Sequence, residues 1–201
     1  MVDASIQSYS GRMKILAVLL GFALPLFAFA AQAQADTTDY SVDAGQSKAE
    51  YHLVHKLHEV TGVSKKCEGK ARLADGKAQV MVRIPVQSFD SGNVNRDEHM
   101  KETVEAAKFP NVELKALAEG VTPPATFPAT TQARFKGQIN FHGVQQMMEL
   151  PVTLVWESPT RVRAQTKFKI SLDGFKVERP SLMFVKVNDD LELTADLLLA
   201  R

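Results

Sequence analysis

The chain has 201 residues, 45% apolar and 23% charged, the make-up of a globular protein and not of a disordered, fibrous or coiled-coil one. Lysine plus arginine number 24 against 23 aspartate plus glutamate, so the basic excess that marks nucleic-acid binding is missing. A lone cysteine, Cys67, excludes an intrachain disulfide scaffold, a zinc module and an iron–sulfur centre.

Charge is unevenly placed. Arg12 and Lys14 precede an uncharged run from Ile15 to Ala31 that contains Pro25, and Ala31-Gln32-Ala33 and Ala33-Gln34-Ala35 follow it. A basic start, an apolar stretch and small residues at A-x-A spacing predict a cleavable signal peptide over residues 1–35, cut near Ala33 or Ala35. At about 17 residues with an internal proline, the run sits at the lower limit for a membrane span. No basic stop-transfer cluster follows, so no stable membrane anchor is expected. Residues 36–201 then form one domain with 22 basic and 22 acidic side chains, a net charge of zero. The expected location is the periplasm, with secretion as the alternative.

From Tyr40 onward, strand-like alternation dominates. Tyr51, Leu53, His55 and Leu57 share one face of a predicted strand, and His52, Val54, Lys56 and His58 share the other. Gly69 to Leu73 forms the next, and Ala74-Asp75-Gly76-Lys77 is a hairpin turn of the Asp-Gly type. Ala78, Val80, Val82, Ile84 and Val86 then alternate with more polar residues.

Residues 95–108 change period. Asn95 can cap a helix, Glu98 sits three residues on, and Met100, Val104 and Ala107 fall at helical spacing before Phe109-Pro110 ends the run. Val112, Leu114 and Ala116 resume alternation. Three prolines and four threonines make residues 121–131 a predicted loop. Phe135, Gly137, Ile139 and Phe141 lead to a turn at His142-Gly143-Val144. Met148 to Trp156 and Val162 to Leu172 follow, separated by a turn at Glu157 to Thr160, and the last strand runs from about Leu191 to Leu199.

Seven to nine strands with short turns and one apolar face each describe a meander that closes on itself to remove its edges. The expected fold is all-β, a closed antiparallel barrel of about eight strands with one short helix near residues 95–108. A β-sandwich is the runner-up, disfavoured by the sequential hairpins.

Catalytic and metal signatures are weak. His52, His55 and His58 are spaced for a helix, but on a strand the middle residue points away from the other two. Arg96-Asp97 with His99 is the densest polar cluster and offers a base, an acid and an anion binder; acidic residues at a helix start also complement its dipole with no chemistry involved. The chain lacks G-x-S-x-G, Walker, G-x-G-x-x-G and H-E-x-x-H patterns. Cys67 reads as an inert thiol, with Lys65 and Lys66 beside it as the groups that can lower its pKa.

The segment Phe135-Lys136-Gly137-Gln138-Ile139-Asn140-Phe141-His142-Gly143-Val144, followed by Leu150-Pro151-Val152, resembles the paired-strand signature of YceI-like proteins. Tyr40-Ser41-Val42-Asp43 resembles that family's opening strand, and His55 with Val60-Thr61-Gly62 its His…Val-x-Gly element. Phe89-Asp90-Ser91-Gly92-Asn93 with Asn95-Arg96-Asp97 and then Lys108-Phe109-Pro110 match the segments flanking its helix. Together these span residues 40–199. Gln145-Gln146-Met147 departs from the usual Thr-Lys-Pro, the three histidines and Cys67 are additions, and Val177-Glu178-Arg179-Pro180 looks like one branch of the family.

The resemblance implies an exported, lipocalin-like barrel that holds an amphipathic isoprenoid, either a polyprenyl lipid or a quinone, and is not an enzyme. It turns an apolar interior that packing alone explains into a candidate lipid tunnel. Tyr51, Leu53, Val80, Val82, Leu114, Phe135, Phe141, Trp156 and Phe168 are the expected tail contacts, with Arg96, His99 and His55 at the head. No cofactor other than the bound lipid, no metal and no nucleic acid are expected; a homodimer and a stress-response role are left open. The alternatives are a small periplasmic hydrolase or isomerase using Asp97 and His99, and a ligand-free structural barrel with a solid core.

Overall fold

Twelve strands and one α-helix are present in the computed structural model, which describes residues 37–55, 58–179, 181–182 and 185–201, without the side chains of His55, His58, Ser181, Leu182 and Val185. The predicted signal peptide lies outside the described residues. The strands are β1 (Thr38–Val42), β2 (Lys48–His55), β3 (His58–Ser64), β4 (Glu68–Ala74), β5 (Lys77–Pro85), β6 (Asn111–Glu119) and β7 (Ala129–Phe141). They continue as β8 (Val144–Ser158), β9 (Arg161–Ser171), the two-residue β10 (Ser181–Leu182) and β11 (Val185–Lys186), and β12 (Asp190–Ala200). The helix α1 covers Val94–Thr103.

Eight of these strands close a ring in the order β1-β4-β5-β6-β7-β8-β9-β12, and β12 returns to β1 through the antiparallel pairs Ser41↔Ala200 and Val42↔Leu199. This is the closed antiparallel barrel expected from the alternation. Two-residue turns set its register. Asp75 (φ 51°) and Gly76 (φ 69°) join β4 to β5, and His142 (φ 51°) and Gly143 (φ 72°) join β7 to β8, so both central residues are left-handed as a type I′ hairpin demands.

The ring is complete at one end only. Between β1 and β2 a 3₁₀ turn at Ala44–Gln46 interrupts pairing with β12. There Asp43 N–H donates to the Leu198 carbonyl at 2.8 Å, and Leu198 N–H donates to the Ser47 hydroxyl at 2.9 Å. One edge of β12 therefore serves β1 near Leu199 and β2 from Leu191↔Leu53 to Asp196↔Lys48. The β2–β3 hairpin extends this second end; β3 pairs with β2 on one edge, and Val63 bridges on the other to Asp90, which lies outside the strands. The space so opened is covered by α1 and the segments that follow it.

Three expectations need correction. Tyr51 to His58 is not one strand, because β2 turns back and His55 pairs with His58. The predicted loop over 121–131 is shorter, since β7 already begins at Ala129 opposite Trp156. The helix starts one residue earlier and ends five earlier than predicted. Its cap is Asn93, not Asn95, and the Asn93 carboxamide accepts from Arg96 N–H at 3.1 Å. Glu105 (φ 47°) stops it. Ala106 N–H reaches back to the Lys101 carbonyl at 2.8 Å and Glu105 N–H to that of Glu102 at 3.0 Å, a Schellman closure made without glycine.

Candidate functional site: the barrel cavity

Alternation sends every second side chain into the barrel, and the interior they line is not filled. A chamber of about 310 Å³ occupies the open end beneath α1, and a second of about 90 Å³ lies toward the complete end. The larger volume falls within the range of small-molecule sites, about 300–1,000 Å³. Of the sequence-predicted contacts, Tyr51, Leu53, Phe141 and Phe168 line the larger chamber, with Arg96 and His99 at its rim. Val80, Phe135 and Trp156 line the smaller one, and Val82 and Leu114 border both. His55 ends β2, but its side chain lies outside the described residues. Leu53, Val80, Leu114, Phe168 and Leu193 point inward yet are only half-buried, because part of each faces this cavity.

Sequence reading missed the part of the wall that comes from irregular segments. Phe89, Val177 and Val187 line the larger chamber, none of them on a strand. No periodic signal marks them. What the sequence does offer is isolated hydrophobes inside polar loops.

Polar atoms gather at the rim. His99 is two-thirds exposed, its Nδ1 3.9 Å from the Glu102 carboxylate, and it also lines the chamber, so the cavity reaches the surface beside α1. Asp97 is buried. Its carboxylate accepts Ser91 N–H at 3.1 Å and the Ser91 hydroxyl, while Arg96 donates from Nε to that hydroxyl at 2.8 Å and from Nη2 to the Ser91 carbonyl at 2.6 Å. Ser91 is thus pinned from both sides, which fixes α1 over the cavity. Tyr51 lies close by, and burial raises its pKa, helped by the Asp97 charge and opposed by Arg96.

Two close approaches hold this end together. Tyr51 lies across its registered partner Gly62, where a Cβ would come within 2.2 Å of the ring, and tilts against Phe89 at 5.5 Å. Phe109, just after the helix, packs onto Gly143, where a Cβ would sit 2.5 Å from its ring, and meets the edge of His142 at 5.0 Å. His142 Nδ1 contacts the Phe175 carbonyl at 3.1 Å as donor, so one residue links the β7–β8 turn to the loop after β9. Segments far apart in sequence therefore converge as Val-x-Gly under Tyr51 and Lys-Phe-Pro on His-Gly-Val. The YceI-like domain family matches residues 40–199, which include both.

The chain belongs to the YceI-like family. A polyisoprenoid binding domain from Saccharophagus degradans implicated in plant cell wall breakdown superposes with a TM-score of 0.67 at 17% identity, covering 80% of this chain and 97% of that one. Burkholderia cenocepacia BcnA gives 0.64 at 18%, covering 78% and 98%. Comparison with curated proteins found no match. These solved structures share the YceI-like fold.

Among the described residues of this YceI-like chain, the remaining polar candidates stand apart from one another. Asp97 and His99 stand two residues apart on α1, a spacing that does not bring side chains face to face. His52 Nδ1 sits 3.1 Å from the Thr61 hydroxyl and its Nε2 3.4 Å from the Glu59 carboxylate, an ordinary cross-strand arrangement. Among the described residues, no three His, Cys, Asp or Glu side chains cluster to hold a metal. No helix among them is long and apolar enough to cross a membrane. Cys67 is fully buried at the bend from β3 to β4, and burial pushes its thiol up to about 11. Burial alone sets this direction, with no lowering from Lys65 or Lys66.

Proposed function

We propose that this protein is an exported, periplasmic carrier or scavenger that holds one amphipathic isoprenoid, a polyprenyl lipid or quinone, inside its barrel. The observation that carries the reading is the almost wholly apolar surface of the two chambers, with Arg96 and His99 at the rim beside α1. The tail enters there and the head stays near Arg96 and His99. Each methylene removed from water contributes about 0.8 kcal/mol, so a long chain supplies ample affinity without any charged contact. The zero net charge of residues 36–201 fits this, because electrostatic docking on an anionic membrane requires a basic patch. Sequestration of such a lipid also suits a stress-response role.

The test is extraction and mass spectrometry of the denatured, purified protein. About one isoprenoid per chain is expected; a protein that emerges empty and fails to take up isoprenoids in solution sinks the proposal.

A further inference from the structure

The two chambers are neighbours and share part of their lining. The side chains that border both are Val82, Leu114, Thr166, Ala195 and Leu197. Val82 and Leu114 are registered partners on β5 and β6, while Thr166 and Ala195 are registered partners on β9 and β12. In a ring of eight strands ordered β1-β4-β5-β6-β7-β8-β9-β12, these two pairs stand on opposite walls. One side of this shared lining is therefore two bulky hydrocarbons, and the other is Thr166 with Ala195. Thr166 turns its hydroxyl into the wall, donating to the Pro151 carbonyl at 2.7 Å.

Beyond these shared residues the surface of the far chamber is almost wholly hydrocarbon. The Trp156 indole N–H donates to the Thr131 hydroxyl at 2.9 Å, and the Tyr40 hydroxyl donates to the Pro159 carbonyl at 3.4 Å. Tyr40, Val121 and Trp156 are all buried and cover the far end. From Leu191 to Leu199, β12 traverses the barrel from one chamber to the other, a path of about 20 Å along the axis after allowing for strand tilt.

We propose that these shared side chains form a waist between the chambers, and that the waist and the far chamber select the ligand's tail. Only a slender, unbranched-backbone chain passes between Val82–Leu114 and Thr166–Ala195, and Trp156 stands where the chain must stop. The ligand class is then a linear isoprenoid long enough to cross the waist, and a fused-ring lipid of similar carbon number is rejected. This rests on the carrier function proposed above and adds the residues that determine its specificity.

Trp156 is the sole tryptophan and lines the far chamber, not the larger one. Its emission therefore reports passage through the waist. The experiment titrates the delipidated protein with geraniol, farnesol, geranylgeraniol and a longer polyprenol, following bound stoichiometry by native mass spectrometry and Trp156 fluorescence in parallel. The expected result is binding by all chains that bury in the larger chamber, with a change in emission only above a threshold length. Ala195→Leu narrows the waist and is expected to abolish the emission change and weaken the longest chain by about tenfold or more, leaving the short chains little affected. Emission that responds equally to the shortest and longest chains overturns the waist. So does a cholesterol control that binds with the same change. If none of the series binds the wild-type protein, the carrier function itself has failed. The wild-type length series decides the question even if Ala195→Leu does not fold.

Discussion

The complete end and the helix-covered end of this barrel are built by different means. Around the far chamber all eight strands pair, the β4–β5 turn is two residues long, and Leu150 and Trp156 retain almost no accessible surface. At the other end the ring parts at β2–β3, and closure falls to α1, the Schellman turn and the loop holding Phe175 and Val177. Hydrogen-bonded strands give rigidity, but they leave no way in. The opening therefore lies where side chains, not backbone ladders, cover the core, and that is also where the rim's polar atoms collect.

The sharpest break of this contrast is Trp156→Ala. It empties the most tightly held part of the rigid end and leaves the Thr131 hydroxyl without its donor, so a loss of about 3–5 kcal/mol is expected by urea unfolding. At the boundary between the two ends, Cys67 makes stability depend on pH. The unfolded thiol ionises near pH 9.0 while the folded one holds its proton to about 11. The unfolded state is thus favoured progressively as pH rises between those values, with no effect below them. About 2–3 kcal/mol is expected to be lost across the window, and Cys67→Ala should flatten that slope.

At the open end, Asp97→Asn removes one of the acceptors that pin Ser91. A cost of about 1–2 kcal/mol is expected. Amide exchange should accelerate across Ser91 and α1 and stay unchanged in β7 and β8. Turnover of any substrate that fell without this loss of stability would revive the hydrolytic alternative. Leu193→Ala should be mildest, about 1 kcal/mol, because its side chain already faces empty space and leaves little new cavity. A cost for Leu193→Ala equal to that for Trp156→Ala would erase the distinction between the two ends.

The legibility of the sequence follows the same division. Period-two alternation and the Asp75-Gly76 and His142-Gly143 turns suffice for β4 to β9, since there each residue's local preference agrees with the sheet it joins. The β2–β3 turn escaped because His55-Lys56-Leu57-His58 contains no glycine, proline, asparagine or aspartate to announce it. The helix was visible but its cap was misplaced. Asn93 and Asn95 both suit the role by type, and only the left-handed Gly92 before Asn93 decides between them. The inward-facing wall residues on the strands could be read from alternation alone. Phe89, Val177 and Val187 could not, because tertiary packing and not periodicity places them on the wall.

The shared edge of β12 also governs how this chain reaches its native state. Ser41 pairs with Ala200, so the first and last strands meet across nearly the whole described sequence. β12 must also dock on β9 and β2 before the barrel has a finished wall. Pairings of such long range carry a heavy loop-closure entropy and form late. The ring cannot close until the last strand is available, and up to that moment the polypeptide stays open and threadable.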